Sequence, residues 1–406
     1  MSALPDDHDH FLRWVRRNHD ANANERNFLP RIVYGQYLDS ILKEAATRSG
    51  RNLPWFCDQA LLATRVGDEH SVQLKSGRQI LARIVVIATG NIPPGDPTVP
   101  GLTERASRYV GFSWAGDALD GIGELADVLL VGAGLTSVDL TMALAAKAFR
   151  GTIHMLSRRG LLPLPHKQTQ PWPQFWNSES PRTTRGLTGL IRNQVRLAIE
   201  AGNDWRGVID ALRPVTQEIW RSLPDEERRR FMRHARAYWD VHRHRIAPEV
   251  NDRLNRLIQD GRVRVHSGRV VGYREENDAA TVSFRRRRDG QIEELRVGRV
   301  INCTGPEADW RRIDNSFLCS LFAQGLARPD SLFLGLDVDS NGCVINDEGE
   351  PSRSLFAIGP VRKGCLWETT AVPELRKQAS ELAEYIVRVA KEEPFLNKRP
   401  SQSLSL

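Results

Sequence analysis

Asp127-Val-Leu-Leu-Val-Gly-Ala-Gly-Leu-Thr-Ser137 is the stretch that decides the fold. Asp127–Val131 is a short apolar run of strand type, and Gly132-Ala133-Gly134-Leu135-Thr136-Ser137 reads as a G-x-G-x-x-S turn. An apolar, Ala-rich helix is predicted over Val138–Phe149 and a second strand over Gly151–Leu156. In such a unit the first glycine permits the tight turn, and the second lets the backbone approach a pyrophosphate. The helix N-terminus supplies unpaired N–H groups and the positive end of its dipole. The third position need only be small where helix meets strand, and Ser137 meets that requirement. Gly132, Gly134, Leu135, Thr136 and Ser137 are therefore candidate nucleotide-binding residues.

The end of the second strand chooses the nucleotide. An Asp or Glu there would bond the ribose 2′-hydroxyl of NAD, whereas this chain has Ser157-Arg158-Arg159. Guanidinium groups suit a 2′-phosphate through charge-assisted N–H···O bonds, so NADP(H) is preferred, with Ser157, Arg158 and Arg159 as its candidate contacts. Two solvated arginines at a loop start would read the same way.

Outward from this unit, one block occurs twice. Ser71–Gly77 and Arg78–Ala82 alternate as a hairpin, followed by a buried strand Ile84–Ala88 that ends in Thr89-Gly90-Asn91. Later, Thr281–Arg286 and Ile292–Val297 flank a turn at Asp289-Gly290, followed by Arg299–Asn302 and Cys303-Thr304-Gly305-Pro306. The dinucleotide unit precedes the second block and has no counterpart before the first.

Between the second nucleotide strand and the later hairpin lies a mostly helical insertion, about Pro165 to Asp260. Helices are expected over Thr188–Ala201, Trp205–Leu223 and Pro224–Trp239, the last with Pro and acids at its start. Trp239-Asp-Val-His-Arg-His-Arg245 is the densest polar constellation. His242, Arg243, His244 and Arg245 are candidate catalytic or anion-binding groups. Helix-end bonds and ion pairs with Asp240 and Glu249 are the plainer alternative.

Composition sets the outer bounds. At 406 residues, 40% hydrophobic and 26% charged, the chain is too long for one ordinary domain and unlike a disordered, collagenous or disulfide-built protein. Its net charge is +7, and only eight of its 57 basic residues are lysine. The five cysteines form no C-x-x-C pair and no metal-ligand spacing, so they read as reduced, mostly buried thiols, and no metal site is expected. No apolar run approaches the ~20 residues of a membrane helix, and Met1–Arg17 carries no signal-peptide stretch. A cytoplasmic location without membrane partners is expected. Arg285–Arg288 is a basic hairpin tip without interleaved aromatics, a solvated turn with no nucleic-acid partner implied. No Ser-His-Asp order or nucleophile elbow suggests a hydrolase.

With these motifs in view, the chain resembles the flavoproteins with two dinucleotide-binding domains. Within them it is similar to the group containing FAD-dependent urate hydroxylase and the L-aspartate N-monooxygenases. The matching segments are 30–38, Ala88–Pro94, Leu130–Thr136, Leu156–Pro163, Trp239–Arg245, Asn302–Pro306, Leu355–Pro360 and Leu366–Pro373. The resemblance implies FAD and NADPH as cofactors, and a small polar or anionic substrate with oxygen as the second reactant. It places Arg31, Thr89, Gly90, Gly359, Pro360, Trp367, Thr369, Thr370 and Ala371 beside the flavin. Thr369–Ala371 would present backbone N–H groups just before a helix at Glu374–Val389. Pro360 stands where most relatives have Asp, so one ribityl contact is absent.

Such proteins begin with a strand and a G-x-G-x-x-G of their own for the ADP half of FAD. This chain begins Met1-Ser-Ala-Leu-Pro-Asp-Asp, so that unit is expected to be missing, through a mis-assigned start or a truncated gene. The expected fold is α/β, with two interleaved Rossmann-like domains, the first truncated, plus β-meanders and the helical insertion. The expected boundaries are 1–115 for the first part of the FAD domain and 116–165 for the first part of the NADP(H) domain. The insertion, as a possible substrate cap, spans 166–260. The NADP(H) domain resumes over 261–305, the FAD domain returns over 306–393, and 394–406 forms a disordered tail. The function implied is an NADPH-dependent FAD monooxygenase. The alternatives are an FAD/NAD(P)H reductase without oxygenation and a truncated, non-catalytic NADP(H)-binding protein.

Overall fold

The computed structural model describes residues 2–50, 53–147, 149–276, 278–307 and 309–392; the tail 394–406 lies outside them. The chain divides into two compact units, Met1–Asn91 with Ala308–Leu406, and Ile92–Glu307. The strands among the described residues are, in order, β1 Ala60–Val66, β2 Glu69–Leu74, β3 Gln79–Ala82, β4 Val85–Ile87, β5 Tyr109–Val110, β6 Val128–Val131 and β7 Ile153–Ser157. They continue with β8 Val263–Glu275, β9 Ala280–Arg286, β10 Ile292–Val297, β11 Arg299–Asn302, β12 Cys343–Ile345 and β13 Pro351–Ala357.

The second unit is built on one sheet of order β10-β9-β8-β7-β6-β11-β5. β8, β7, β6, β11 and β5 run parallel, and β9 and β10 continue the sheet antiparallel. Every residue of β6 is buried, as expected for a parallel strand covered on both faces. On one face Val128, Leu130, Ile153, Met155 and Ile301 pack with Val138 and Leu144 of helix Leu135–Ala146 and with Leu254 of helix Pro248–Gln259. On the other face Leu129, Val131, Leu156 and Val300 pack against Tyr273, Val282 and Phe284 of the meander. The alternation along each strand assigns these two sets. From β6 the chain winds through β7 to β8 on one side, and β11 pairs on the other. That reversal of strand order is where open α/β sheets place their ligand crevice, at the carboxyl ends of the strands.

Several helices differ from the sequence expectation. Helix Leu135–Ala146 begins three residues before Val138, because Gly134 is extended and takes the N-cap position. The helix expected over Trp205–Leu223 is three pieces, Trp205–Leu212, a 3-10 turn Arg213–Val215, and Thr216–Ser222. Pro214 lacks the N–H that a continuous helix would need there. The one expected over Pro224–Trp239 divides at Ala235 into Asp225–His234 and Arg236–Arg243. Helix Thr184–Glu200 starts earlier than Thr188 because Thr183 caps it, its hydroxyl accepting from Gly186 N at 3.1 Å.

In the first unit β1-β2-β3 form an antiparallel sheet, and β12-β13-β4 a second in which β13 and β4 are parallel. Helix Val372–Glu392 lays Leu382 on Cys343 and Phe356; it extends past both ends of the expected Glu374–Val389, and Pro373 is tolerated in its first turn. Helices His10–Asn18 and Arg31–Ser49 enclose a small core of Phe11, Val15, Val33 and Tyr37. Among the described residues β4 pairs with β13 alone, whereas its counterpart β11 in the second unit is flanked by both β6 and β5. No described helix is long and apolar enough to cross a membrane.

His154, buried in the meander face of the second unit, pairs with the half-buried His266. His154 of β7 meets His266 of β8, Nδ1 to Nε2, at 2.9 Å, and His154 Nε2 lies 3.5 Å from Asp127 Oδ2. Burial holds both imidazoles below their ordinary value of 6.5, and the Asp127 carboxylate only partly offsets this at His154. The unfolded chain therefore takes up protons first as pH falls through about 6.5, and each histidine's share of stability, present above that value, is lost below it. The unfolding midpoint should fall between pH 7.5 and 5.5, and His266→Gln should flatten that fall. An unchanged slope in thermal melts of the variant would rule out this pair as its source.

Candidate functional site

The G-x-G turn is fixed by a close approach of two strand ends. Gly132 has φ +131°, and a Cβ placed on it would lie 2.2 Å from the carbonyl oxygen of Cys303. Gly132 N donates to Leu156 O at 2.7 Å, and Cys303 N donates to Val131 O at 2.9 Å, so the ends of β6, β7 and β11 meet at this residue. Gly134 is exposed, and nothing stands within 4 Å of where its Cβ would be, so the backbone is open to a ligand. The helix behind it has no side-chain N-cap bond and no acid in its first turn. Both features leave the positive helix end suited to a phosphate.

Leu135 and Thr136 are half-buried at that helix start, Leu135 against the core. Ser137 is fully buried, and its hydroxyl donates to Gly132 O at 2.9 Å. It closes the turn from inside, a role in shaping the cradle rather than touching a ligand. Burial pushes the nearby Cys303 thiol up to about 12, so it is inert.

Asn302, at the end of β11, carries no solvent exposure. Its amide donates to Gly95 O at 3.2 Å, and its Oδ1 accepts from Thr304 N at 3.1 Å and from Thr304 Oγ1 at 2.7 Å. One side chain thus joins the Thr304-Gly305 turn, where Gly305 has φ +84°, to the segment after Pro94. The sequence reading passed over it; the only signal was a polar residue closing an apolar strand.

At the end of β7, Ser157 Oγ accepts from Gly160 N at 3.0 Å and so shapes the loop. Arg158 is exposed, yet its pKa is lowered, first by partial desolvation and then by repulsion from Arg236, Arg269 and Arg159. Arg159 lies over the Tyr238 ring, 4.8 Å from its centroid, and donates to Arg233 O at 3.3 Å. Arg236 and Arg269 were not singled out from sequence. Arg236 arrives on a helix of the insertion, and Arg269 arrives because β8 pairs Ser267 with Ser157, two positions before it. Only the pairing of distant segments brings the four together.

The four polar candidates near the insertion's end do not converge. His242 Nδ1 meets Tyr238 O at 2.7 Å, and its ring sits edge-on to Trp205 at 4.8 Å. His244 Nε2 is 4.0 Å from Asp240 Oδ1. Arg243 ends the same helix, and Arg245, buried, pairs with Asp210. These are helix-end and ion-pair roles, and Arg245 alone points into the protein.

In the first unit, Gly359 has φ +81° and lies in a closed, buried network. Gly359 N donates to Gln378 Oε1 at 3.0 Å, Thr369 Oγ1 donates to Gly359 O at 2.8 Å, and Gln378 Nε2 donates to Thr369 Oγ1 at 2.9 Å. The Thr369 hydroxyl therefore holds the loop against helix Val372–Glu392. Thr370 is exposed and Ala371 half-buried at the start of that helix, and Pro360 opens a 3-10 turn, Gly359–Arg362. Trp367 is buried at φ +58°, a conformation costly for a bulky residue, with Lys363 Nζ 5.1 Å from its ring. Thr89 is exposed beside Gly90, whose φ is +71°, and Arg31 is exposed at the first position of its helix. All five cysteines are free; Cys303 and Cys343 are buried, but Cys57 and Cys319 are exposed, against the expectation of mostly buried thiols.

A family model described as FAD-NAD(P)-binding matches residues 1–92. No curated protein matches the chain. Among solved structures, ornithine N-hydroxylase from Kutzneria sp. 744, in a complex with reduced FAD, NADP+ and L-ornithine, aligns at TM-score 0.62 and 16% identity, over 94% of this chain and 83% of that one. L-lysine 6-monooxygenase from Pseudomonas syringae aligns at TM-score 0.58 and 16% identity, over 88% and 81%. Bacillithiol disulfide reductase from Staphylococcus aureus aligns at TM-score 0.53 and 12% identity, over 91% and 80%. The chain therefore has the α/β fold of the FAD/NAD(P)-binding flavoproteins.

Gly132→Ala places a methyl group against the Cys303 carbonyl in a backbone region that only glycine occupies freely. It should cost roughly 1–3 kcal/mol of stability. NADP+ binding should weaken at least about tenfold, as read by calorimetric titration; an unaltered affinity would contradict the cradle assignment.

Proposed function

We propose that this chain is an NADPH-preferring, FAD-dependent oxidoreductase of the monooxygenase type, acting on a small polar or anionic substrate. The observation that carries the nucleotide preference is Arg158 set among Arg159, Arg236 and Arg269 just past the β7 end. Asp240 pairs with Arg236 at 3.4 Å, and a 2′-phosphate attached to a pyrophosphate at Gly134 would bring a further anion to these guanidinium groups. The oxygenase part is supported by likeness of fold to N-hydroxylases acting on ornithine and lysine.

NADP(H) fits the residues present. Gly132 and Gly134 would admit its pyrophosphate, the start of helix Leu135–Ala146 would face the charge, and the arginines would hold the 2′-phosphate. The flavin end of FAD fits the Gly359 turn and the Thr370-Ala371 helix start. Its ADP half does not find the same fit, because no glycine turn opening a helix stands beside β4 among the described residues. When bound, the two cofactors would supply hydride transfer and the reaction with oxygen. The chain's own part is binding, orientation and exclusion of water.

Among the described residues β4 is paired on one side, with β13, and a second reading is a non-catalytic NADP(H)-binding protein. One experiment separates the two. The purified chain is mixed with FAD, excess is removed, and absorbance is followed on adding NADPH or NADH. Retained flavin bands, bleached faster by NADPH, with oxygen uptake stimulated by a small substrate, are expected. Bleaching without stimulated uptake would leave a reductase, and a colourless chain that still binds NADPH would leave the second reading.

Arg236→Gln should weaken NADPH binding by about tenfold, the scale of one charge-assisted hydrogen bond, and leave NADH binding unchanged. Equal effects on both nucleotides in fluorescence titrations would refute a 2′-phosphate role for Arg236.

A further inference from the structure

Among the described residues of the second unit, Arg245 has two buried nitrogens without a hydrogen-bond partner. Its side chain is 5% exposed, and one carboxylate, that of Asp210, pairs with Nη2. Nε and Nη1 are buried with no hydrogen-bond partner among the described residues. Arg262 and Arg299 each leave one such nitrogen, Nε; Arg245 leaves two. A guanidinium cannot give up its proton, so the unmet donors cannot be relieved by titration.

The surroundings are ordered and positively biased. A short parallel bridge joins Pro165 to Ile246, with His166 N donating to Ile246 O at 2.8 Å and Ile246 N to Leu164 O at 3.0 Å. That bridge sets His166 beside Arg245. Burial comes first in depressing the His166 pKa; Arg245 then pushes it down, Asp210 pulls it up, and Arg206 and Arg243 add smaller downward pushes. Arg206 is already engaged, with Nη1 3.1 Å from both oxygens of Asp204, Nε donating to Pro165 O at 2.9 Å, and its guanidinium over the Trp205 ring. Segment 160–166 leaves the carboxyl end of β7. Helix Pro248–Gln259 runs back to the start of β8, so Arg245, just before it, lies on the same carboxyl-end side of the sheet.

We propose that Arg245, with His166 beside it, is the recognition residue of a carboxylate-binding subsite in the helical insertion. This deepens the reading of a small anionic substrate, on which it rests, by naming the group that is held and the residues that hold it. A planar carboxylate matches the planar fork of a guanidinium, and one negative charge balances the excess that His166 experiences. Asp210, 46% exposed, stands at the outer side and competes for the same guanidinium. His242 and His244 take no part in it.

The test is a calorimetric titration of the 406-residue chain with succinate, with uncharged succinamide and with inorganic phosphate, beside an NADP+ titration in the same buffer. Saturable succinate binding, with succinamide and phosphate at least about tenfold weaker, is expected. Arg245→Met should abolish the succinate signal. To separate loss of the site from loss of the fold, Asp210→Asn is measured as well: removing the competing carboxylate should tighten succinate binding severalfold, where a purely structural pair would give no gain. Equal binding of succinate and succinamide, phosphate binding as tightly as succinate, or unchanged affinity in Asp210→Asn would each overturn the subsite. No saturable succinate binding by the unsubstituted chain, with NADP+ binding intact, overturns this proposal alone. Absence of NADP+ binding counts against the nucleotide reading instead.

Discussion

The second unit depends on the contact between the α-carbon of Gly132 and the carbonyl of Cys303. Two parallel strands, β6 and β11, run out to the same edge, and their ends come so close that no side chain fits between them. The glycine conformation turns the chain sharply into a helix, and that turn leaves Gly134 open at the helix end. Ser137 secures the turn from below and Asn302 secures the strand end from the side. The cradle is thus a consequence of how closely the sheet can be packed at its switch point.

Charge is then added by elements far apart in the chain. Arg158 and Arg159 follow β7 directly, Arg269 is delivered by the register of β8, and Arg236 by the insertion. In the proposed site the insertion would therefore add Arg236 on the nucleotide side, besides Arg245 next to the Pro165–Ile246 bridge.

Much of this was legible in the sequence, for local reasons. Val128–Val131 and Arg299–Asn302 are apolar strands closed by glycine turns, and the Asp289-Gly290 hairpin lies between two alternating runs; all three appear where periodicity puts them. The helix breaks were harder. Pro214 is a visible signal, whereas the division at Ala235 has none in the residues themselves. Of the proposed site, only contiguous residues could be named as candidates from sequence: Gly132, Gly134 and Arg158. Arg236, Arg269, His166 and Asn302 acquire meaning through strand register and the isolated bridge, which no local pattern encodes. The cluster from His242 to Arg245 read as one unit because it is one in sequence, but its side chains turn to Tyr238, Asp240 and Asp210 separately.

The most direct test of the central claim is a crystal structure of the chain with NADP+ bound. The pyrophosphate should lie against Gly134 and the first turn of helix Leu135–Ala146, with the 2′-phosphate within hydrogen-bond distance of Arg158 and at least one of Arg236 and Arg269. A nucleotide bound elsewhere, or bound here with its 2′-phosphate turned to solvent, would contradict it.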